Sequence, residues 1–217
     1  MTDVEYEKRA AAEAAAAAVE EGSVVGLGTG STVGYLLPAL AARKLDLRCV
    51  ATSEETAEAA RRLGIRVEPF DDLDRLDIAI DGADQIDAAG WLVKGGHGAH
   101  TRERIVASAA ERFIVIASSN KLVATVSAPV PLELVPFGVA ATLRTLGRAA
   151  LRDVPPSPDG GVIADYLGEV ADPARLAARL AATPGVVDHG LFPPSLVSEI
   201  VIGRGSAIER IVPSLAT

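Results

Sequence analysis

Residues 23–40, SVVGLGTGSTVGYLLPAL, decide the fold class. The β-branched pair Val24 and Val25 opens a short apolar run that passes into Gly26-Leu27-Gly28-Thr29-Gly30-Ser31-Thr32. Beyond it Val33, Leu36, Leu37 and Leu40 recur at helical spacing. The order is strand, glycine turn, helix. Glycines let the backbone approach a ligand, and amides at the start of the following helix attract an anion. A dinucleotide-binding fingerprint wants Gly or Ala where Ser31 stands and an acid ending the next strand, where Ala51, Thr52 and Ser53 occur instead. A Walker loop wants Gly-Lys-Ser/Thr, and this turn has no lysine. What remains is a hydroxyl-rich turn in which Thr29, Gly30, Ser31 and Thr32 are candidates to hold one phosphate. A merely tight strand-to-helix turn is the plainer alternative, but it needs fewer hydroxyls than occur here.

Working outward, residues 3–21 are rich in the best helix formers and end at Gly22, a helix stop. Downstream the grammar repeats: Leu47 to Ala51 as strand, Ser53 as helix cap, then a helix closed by Gly64. Ile65 to Glu68 and Leu76 to Ile80 read as short strands, Thr101 to Ala110 as a helix and Arg112 to Ala117 as a buried strand. This alternation implies an α/β fold with parallel β-α-β units and both sheet faces covered. Near Ser127 the pattern changes. Prolines cluster from Pro129 to Pro158, and the chain continues as helix (Gly138 to Leu151), strand (Gly161 to Leu167), helix (Asp172 to Ala182) and strand (Val186 to Gly190). Residues 127–197 are therefore expected to form a small α+β domain, with 1–126 and 198–217 as the catalytic domain. Ser198 to Ile202 is an apolar strand expected to rejoin the first sheet.

Composition narrows the function. A net charge of −8 argues against a general nucleic-acid binder, which needs clustered Lys and Arg, while leaving room for a locally basic pocket. With 49% hydrophobic but only 4% aromatic residues, the core is built from Ala, Val, Leu and Ile. The single cysteine, Cys49, sits in an apolar run and reads as a small core residue, which rules out a disulfide framework or a Cys-based zinc site. No charged-then-apolar leader and no apolar run near ~18 residues is present, so the expectation is a soluble cytoplasmic protein with no membrane partner.

Reactive groups concentrate in residues 81–103, DGADQIDAAGWLVKGGHGAHTRE. Asp81 and Asp84 fall just past the carboxyl end of a strand, the usual ligand side of an open α/β sheet, and Gly82 and Ala83 keep the walls small. A calcium loop needs a different spacing of acids. Asp87 reads as a solvated acidic turn outside the site. Lys94 precedes Gly95 and Gly96, so a loop presents its ammonium, which can neutralise an enolate or a phosphate; a surface lysine is the commoner fate of this residue type. Glu103 lies in the first turn of a helix, where it either complements the helix dipole or, if buried, serves as a general base. His97 and His100 adjoin the loop, but no third ligand at sensible spacing makes them a metal site.

GLGTGST, DGAD, KGGHG followed by TRE, and VVDHGLF together resemble the ribose-5-phosphate isomerase family, A type, in order over nearly the whole chain. The resemblance implies a Rossmann-like, mostly parallel sheet carrying a smaller ferredoxin-like α+β domain. It further implies a cofactor-free and metal-free enzyme, homodimeric or homotetrameric, interconverting ribose 5-phosphate and ribulose 5-phosphate in the pentose phosphate pathway. Carried over by residue, Glu103 matches the base and Asp81 the carboxylate of ring opening. Asp84 and Lys94 match groups that bind sugar hydroxyls and stabilise the oxyanion. Thr29, Gly30, Ser31 and Thr32 match the substrate-binding turn and Lys121 a lysine near the phosphate, and Gly82, Ala83, Gly95, Gly96 and His97, next to these motif residues, are further substrate-binding candidates. The chain departs from the family at His97, usually glycine, and at His100, usually small or apolar, two substitutions that can reshape the loop. It also departs at ASSN before Lys121, where an acid and Ser-Lys are typical, and at SPDGG (157–161) in place of Thr-Asp-Asn-Gly-Asn. Other functions on the same architecture are a sugar-phosphate-binding sensor, a CoA transferase and an amino-sugar-phosphate deaminase.

Overall fold

A computed structural model describes residues 2–73 and 75–213; residues 1, 74 and 214–217 of the expected catalytic domain lie outside the described residues. Helix α1 (Asp3–Ala16) opens with a capping box in which the Thr2 hydroxyl accepts from the Glu5 amide and the Glu5 carboxylate accepts from the Thr2 amide. It ends five residues before the expected Glu21 because Arg43 donates to the carbonyls of Ala16 and Val19, filling acceptors that further helical turns would have used. Then come β1 (Val24–Leu27), α2 (Val33–Arg43), β2 (Arg48–Ala51) and α3 (Glu54–Arg62), the last capped by the Ser53 hydroxyl accepting from the Thr56 amide. The strand expected at Ile65 to Glu68 is not one. Val67 makes a single isolated bridge to Cys49, and Pro69, which has no N–H, ends the pairing. Burial, then the Glu68 charge, pushes the Cys49 thiol up to about 12, in keeping with an inert core residue.

After β3 (Leu76–Gly82) come β4 (Gln85–Ile86), β5 (Leu92–Val93), α4 (His100–Ala109), β6 (Ala110–Ser118) and β7 (Val130–Leu134). Helix α5 (Val139–Leu146) stops short of the expected Leu151: Gly147 takes φ 77° and the chain turns into β8 (Ala149–Leu151), which pairs with β9 (Val162–Tyr166). Helix α6 (Pro173–Ala181), capped by Asp172, precedes β10 (Val186–His189), β11 (Leu191–Phe192), β12 (Glu199–Arg204) and β13 (Ala207–Ile211).

By contacts the chain falls into two compact units: Met1–Ala83 with Arg102–Lys121 and Ser195–Thr217, and Asp84–Thr101 with Leu122–Pro194. The first holds a six-stranded sheet ordered β13-β12-β6-β3-β1-β2, parallel except for β13. Strand β12 rejoins it beside β6, with Ile200 opposite Val115. Its core joins Val25, Leu27, Ile78, Ile80, Ile114 and Ile116 of the strands to Leu36, Leu37 and Leu40 of α2 and the buried alanines of α1. The second holds an antiparallel sheet ordered β10-β7-β9-β8 and a small sheet β11-β5-β4. The connectivity β7-α5-β8-β9-α6-β10 with that strand order is ferredoxin-like. Among the described residues no helix is long and apolar enough to cross a membrane.

Candidate active site

In the first unit β1 lies between β2 and β3, so the chain crosses to one side after β1 and to the other after β2. The carboxyl ends of β1 and β3 therefore flank a topological switch point, where open α/β sheets bind ligands. Asp81 belongs to β3 itself, opposite Val115, since the strand continues to Gly82 instead of ending at Ile80 as expected. Its carboxylate is 3% exposed and accepts from the amides of Thr29 (3.1 Å) and Gly82 (2.7 Å). Gly28 has to be glycine because a Cβ there would overlap the Asp81 carboxyl.

The hydroxyls of the turn divide. Thr29 Oγ1 shares a 2.8 Å hydrogen bond with Thr52 and donates to Ser53 at 2.8 Å, so it joins the β1 turn to the start of α3. Gly30 takes φ 123°, and Ser31 is exposed, its hydroxyl accepting from Lys8 Nζ at 2.8 Å. Thr32 is buried before the first turn of α2. Lys8 is a residue that sequence reasoning missed, since nothing local distinguishes it from any lysine on a helix.

Beside it, Glu7 is 7% exposed and accepts from the Gly205 amide (2.8 Å), the Ser119 amide (2.9 Å) and the Ser119 hydroxyl (2.8 Å). The Gly205 amide, opposed by burial and assisted by the Ser119 hydroxyl and amide, holds this carboxyl below the usual carboxylate range. Glu7 thereby ties α1 to the short 3-10 turn Ser119–Lys121, which ends in Lys121. Glu103 sits in the first turn of α4, 4% exposed. Its helix lies close on the sheet because Gly26 leaves room for Val106, one helical turn beyond Glu103.

In the second unit Asp84 Oδ2 accepts from the Gly96 amide at 2.8 Å. Lys94 is 2% exposed, its amide donates to Gly190 O at 2.9 Å, and its ammonium stands 5.5 Å from the centre of the Phe192 ring. These contacts give the VVDHGLF motif a physical purpose: Gly190 lets two backbones meet and Phe192 supplies an aromatic face. Gly95, at φ 102°, packs against the His100 ring and Pro131. His100 is fully buried whereas His97 is exposed, and among the described residues no three metal-ligating side chains cluster. Asp87 is not the solvated turn residue expected: it is 8% exposed, and its Oδ1 accepts from the amides of Ala89 and Trp91, organising the turn before β5.

A glycine turn beside a buried carboxylate at the switch point of an open parallel sheet marks a doubly wound α/β enzyme for a small anionic substrate. Residues 48–207 match the family model described as ribose 5-phosphate isomerase A (phosphoriboisomerase A). The chain is 45% identical over 222 residues to ribose-5-phosphate isomerase A of Caulobacter sp. (strain K31), covering 95% of this chain and 98% of that one. In structure it superposes on ribose 5 phosphate isomerase A from Neisseria gonorrhoeae with a TM-score of 0.91 at 32% identity, covering 96% of each chain. It matches a D-ribose-5-phosphate isomerase in complex with phospho-erythronic acid equally well, with a TM-score of 0.91, 31% identity and coverage of 98% and 100%. This chain belongs to the ribose 5-phosphate isomerase A family.

Proposed function

We propose that the chain interconverts ribose 5-phosphate and ribulose 5-phosphate in the pentose phosphate pathway, with Glu103 moving a proton between C2 and C1 through an enediolate. Family membership supports the reaction. The observation that carries the residue roles is the burial of two ionisable groups, Lys94 at 2% and Glu103 at 4% exposure, at the ends of one ten-residue run. Burying charge is costly, and such groups concentrate where chemistry needs them.

In the mechanism Asp81 handles the proton of the anomeric hydroxyl as the ring opens. Glu103 then takes the C2 proton, and the electron pair of that bond forms the C1–C2 double bond while the C1 carbonyl oxygen becomes an oxyanion. The Lys94 ammonium stabilises that charge, and Asp84 binds sugar hydroxyls. Proton return from Glu103 to C1, with the O2 proton passing to O1, completes the ketose without net gain or loss of atoms. Gly30, Ser31 and Thr32 bind the phosphate end on a turn that Thr29 holds in place, helped by Lys8 and Lys121, while Gly82, Ala83, Gly95, Gly96 and His97 line the sugar. For the domains we propose 1–126 and 198–217 as the catalytic part and 127–197 as the small part, in a cytoplasmic homodimer or homotetramer. The test is conversion of ribose 5-phosphate by the purified chain in the presence of a chelator. Accumulating ketose supports the reading, and its absence at saturating substrate overturns it.

A further inference from the structure

The loop between Lys94 and Thr101 is gripped at both ends by charged side chains of the antiparallel sheet and its loops, far from it in sequence. At the Lys94 end, Arg152 Nη1 donates to the carbonyls of Gly95 (3.0 Å) and Gly96 (3.1 Å). The same guanidinium donates from Nε (3.0 Å) and Nη2 (2.5 Å) to the two oxygens of Asp165, and both side chains are about four-fifths buried, at 19% and 20% exposure. Four of its five N–H donors are thus committed, two to the loop and two to the carboxylate that aims them. Gly96 is held from both sides, its carbonyl by Arg152 and its amide by Asp84.

At the other end the Thr101 hydroxyl donates to Glu133 Oε2, while Glu133 Oε1 accepts from the Ser157 hydroxyl at 2.5 Å. Glu133 lies on β7 and is 3% exposed. Ser157 in turn accepts from the amides of Gly161 (2.9 Å) and Asp159 (3.3 Å). The SPDGG segment is therefore a closed turn around the Glu133 carboxylate, and Gly161 has no side chain because a Cβ would strike that carboxylate.

We propose that Arg152 and Glu133 are positioning residues for the isomerisation: Arg152, aimed by Asp165, fixes the backbone that carries Lys94, and Glu133, aimed by Ser157, fixes the start of the helix that carries Glu103. This rests on the roles given to Lys94 and Glu103 above. Neither residue touches the substrate in this account, so their effect falls on kcat and leaves binding of the phosphate end alone. A misplacement of about 1 Å in a reacting group lowers the rate by about 100-fold.

Arg152→Lys is the primary variant, because it keeps the charge but loses the fork that serves two carbonyls and a carboxylate at once. Thr101→Val tests the other end without touching the ion pair, and Thr101→Ser should restore what Thr101→Val removes. Full-length proteins are assayed with ribose 5-phosphate, and amide hydrogen exchange is followed across 94–101. The expected result is a fall in kcat of about 10- to 100-fold in Arg152→Lys and Thr101→Val, with KM and competitive inhibition by inorganic phosphate changed less than about threefold. Exchange at Gly96 and Gly98 should quicken in Arg152→Lys. If wild type turns over and the two variants keep kcat within about twofold, the positioning role is overturned. An equal loss in kcat and phosphate affinity would also overturn it, since that pattern reports general loosening. Wild type that does not isomerise removes the functional reading itself, a distinct outcome.

Discussion

Glu7→Gln tests the coupling of fold to substrate anchoring at the glycine-turn end. The carboxylate accepts from one amide through Oε1 and from an amide and a hydroxyl through Oε2. A glutamine keeps one oxygen, best spent on Ser119, and turns its NH2 toward the Gly205 N–H, so one hydrogen bond is lost and two lose their charge assistance. Hydrogen bonds to charged groups contribute about 1.5–3 kcal/mol each, which puts the loss near ~3 kcal/mol. For a chain of this size that lowers Tm by roughly 6–12 °C. KM for ribose 5-phosphate should rise about tenfold with kcat nearly unchanged, because Ser119 leads to Lys121 and Glu7 adjoins Lys8. The sign with pH follows from a folded-state pKa below the ordinary value of 4.5. The stabilisation by Glu7 is fully present above that value and is lost as pH falls through the lower folded value. The gap in Tm between wild type and variant should therefore be constant around neutrality and close only in acid. Thermal scans and steady-state kinetics check this. A variant with wild-type Tm and KM would refute the role given to Glu7.

Replacing the proposed base, Glu103→Gln should lower kcat on the order of 100- to 10,000-fold with an unchanged circular dichroism spectrum; near-normal turnover rejects the assignment. In Gly96→Ala the new Cβ would lie 2.9 Å from Asp84 Oδ1. Kinetics should show kcat/KM reduced by roughly tenfold or more as the carboxylate is displaced. Phe192→Leu keeps the side chain apolar but removes the ring face below the Lys94 ammonium, and kcat should fall about 3- to 10-fold, consistent with a cation–π contribution of about 1 kcal/mol. Unchanged kcat would mean that the ring only fills space.

The parallel sheet was legible because its strands are continuous apolar runs separated by glycine turns and amphipathic helices, as in residues 23–40. Elements disguised by composition were not. Strand β7 contains Pro131 and the charged Glu133, and β13 is exposed along most of its length, so neither shows a clean period. Boundaries failed where a distant side chain decided them, as Arg43 does for the end of α1. The same holds for the site. Residues that stand in a local motif, such as Asp81, Lys94 and Glu103, are candidates that the sequence alone can name, and all three are buried in the structure. Lys8, Glu7, Arg152 and Glu133 could not be named this way, because each gains its meaning from partners that are remote in the chain, as Glu7 does from Ser119 and Gly205. The burial of Asp87 was not legible because its carboxylate accepts from amides of its own turn, which an acid-rich stretch does not reveal.

The most direct test of the proton-transfer account is to incubate the chain with ribose 5-phosphate in heavy water and follow both sugars by NMR. Ribulose 5-phosphate should accumulate with deuterium at C1, recovered ribose 5-phosphate should carry deuterium at C2, and Glu103→Gln should slow both signals together. Saturable binding of the sugar phosphate with neither product nor deuterium after hours would contradict the account and make the chain a sugar-phosphate sensor.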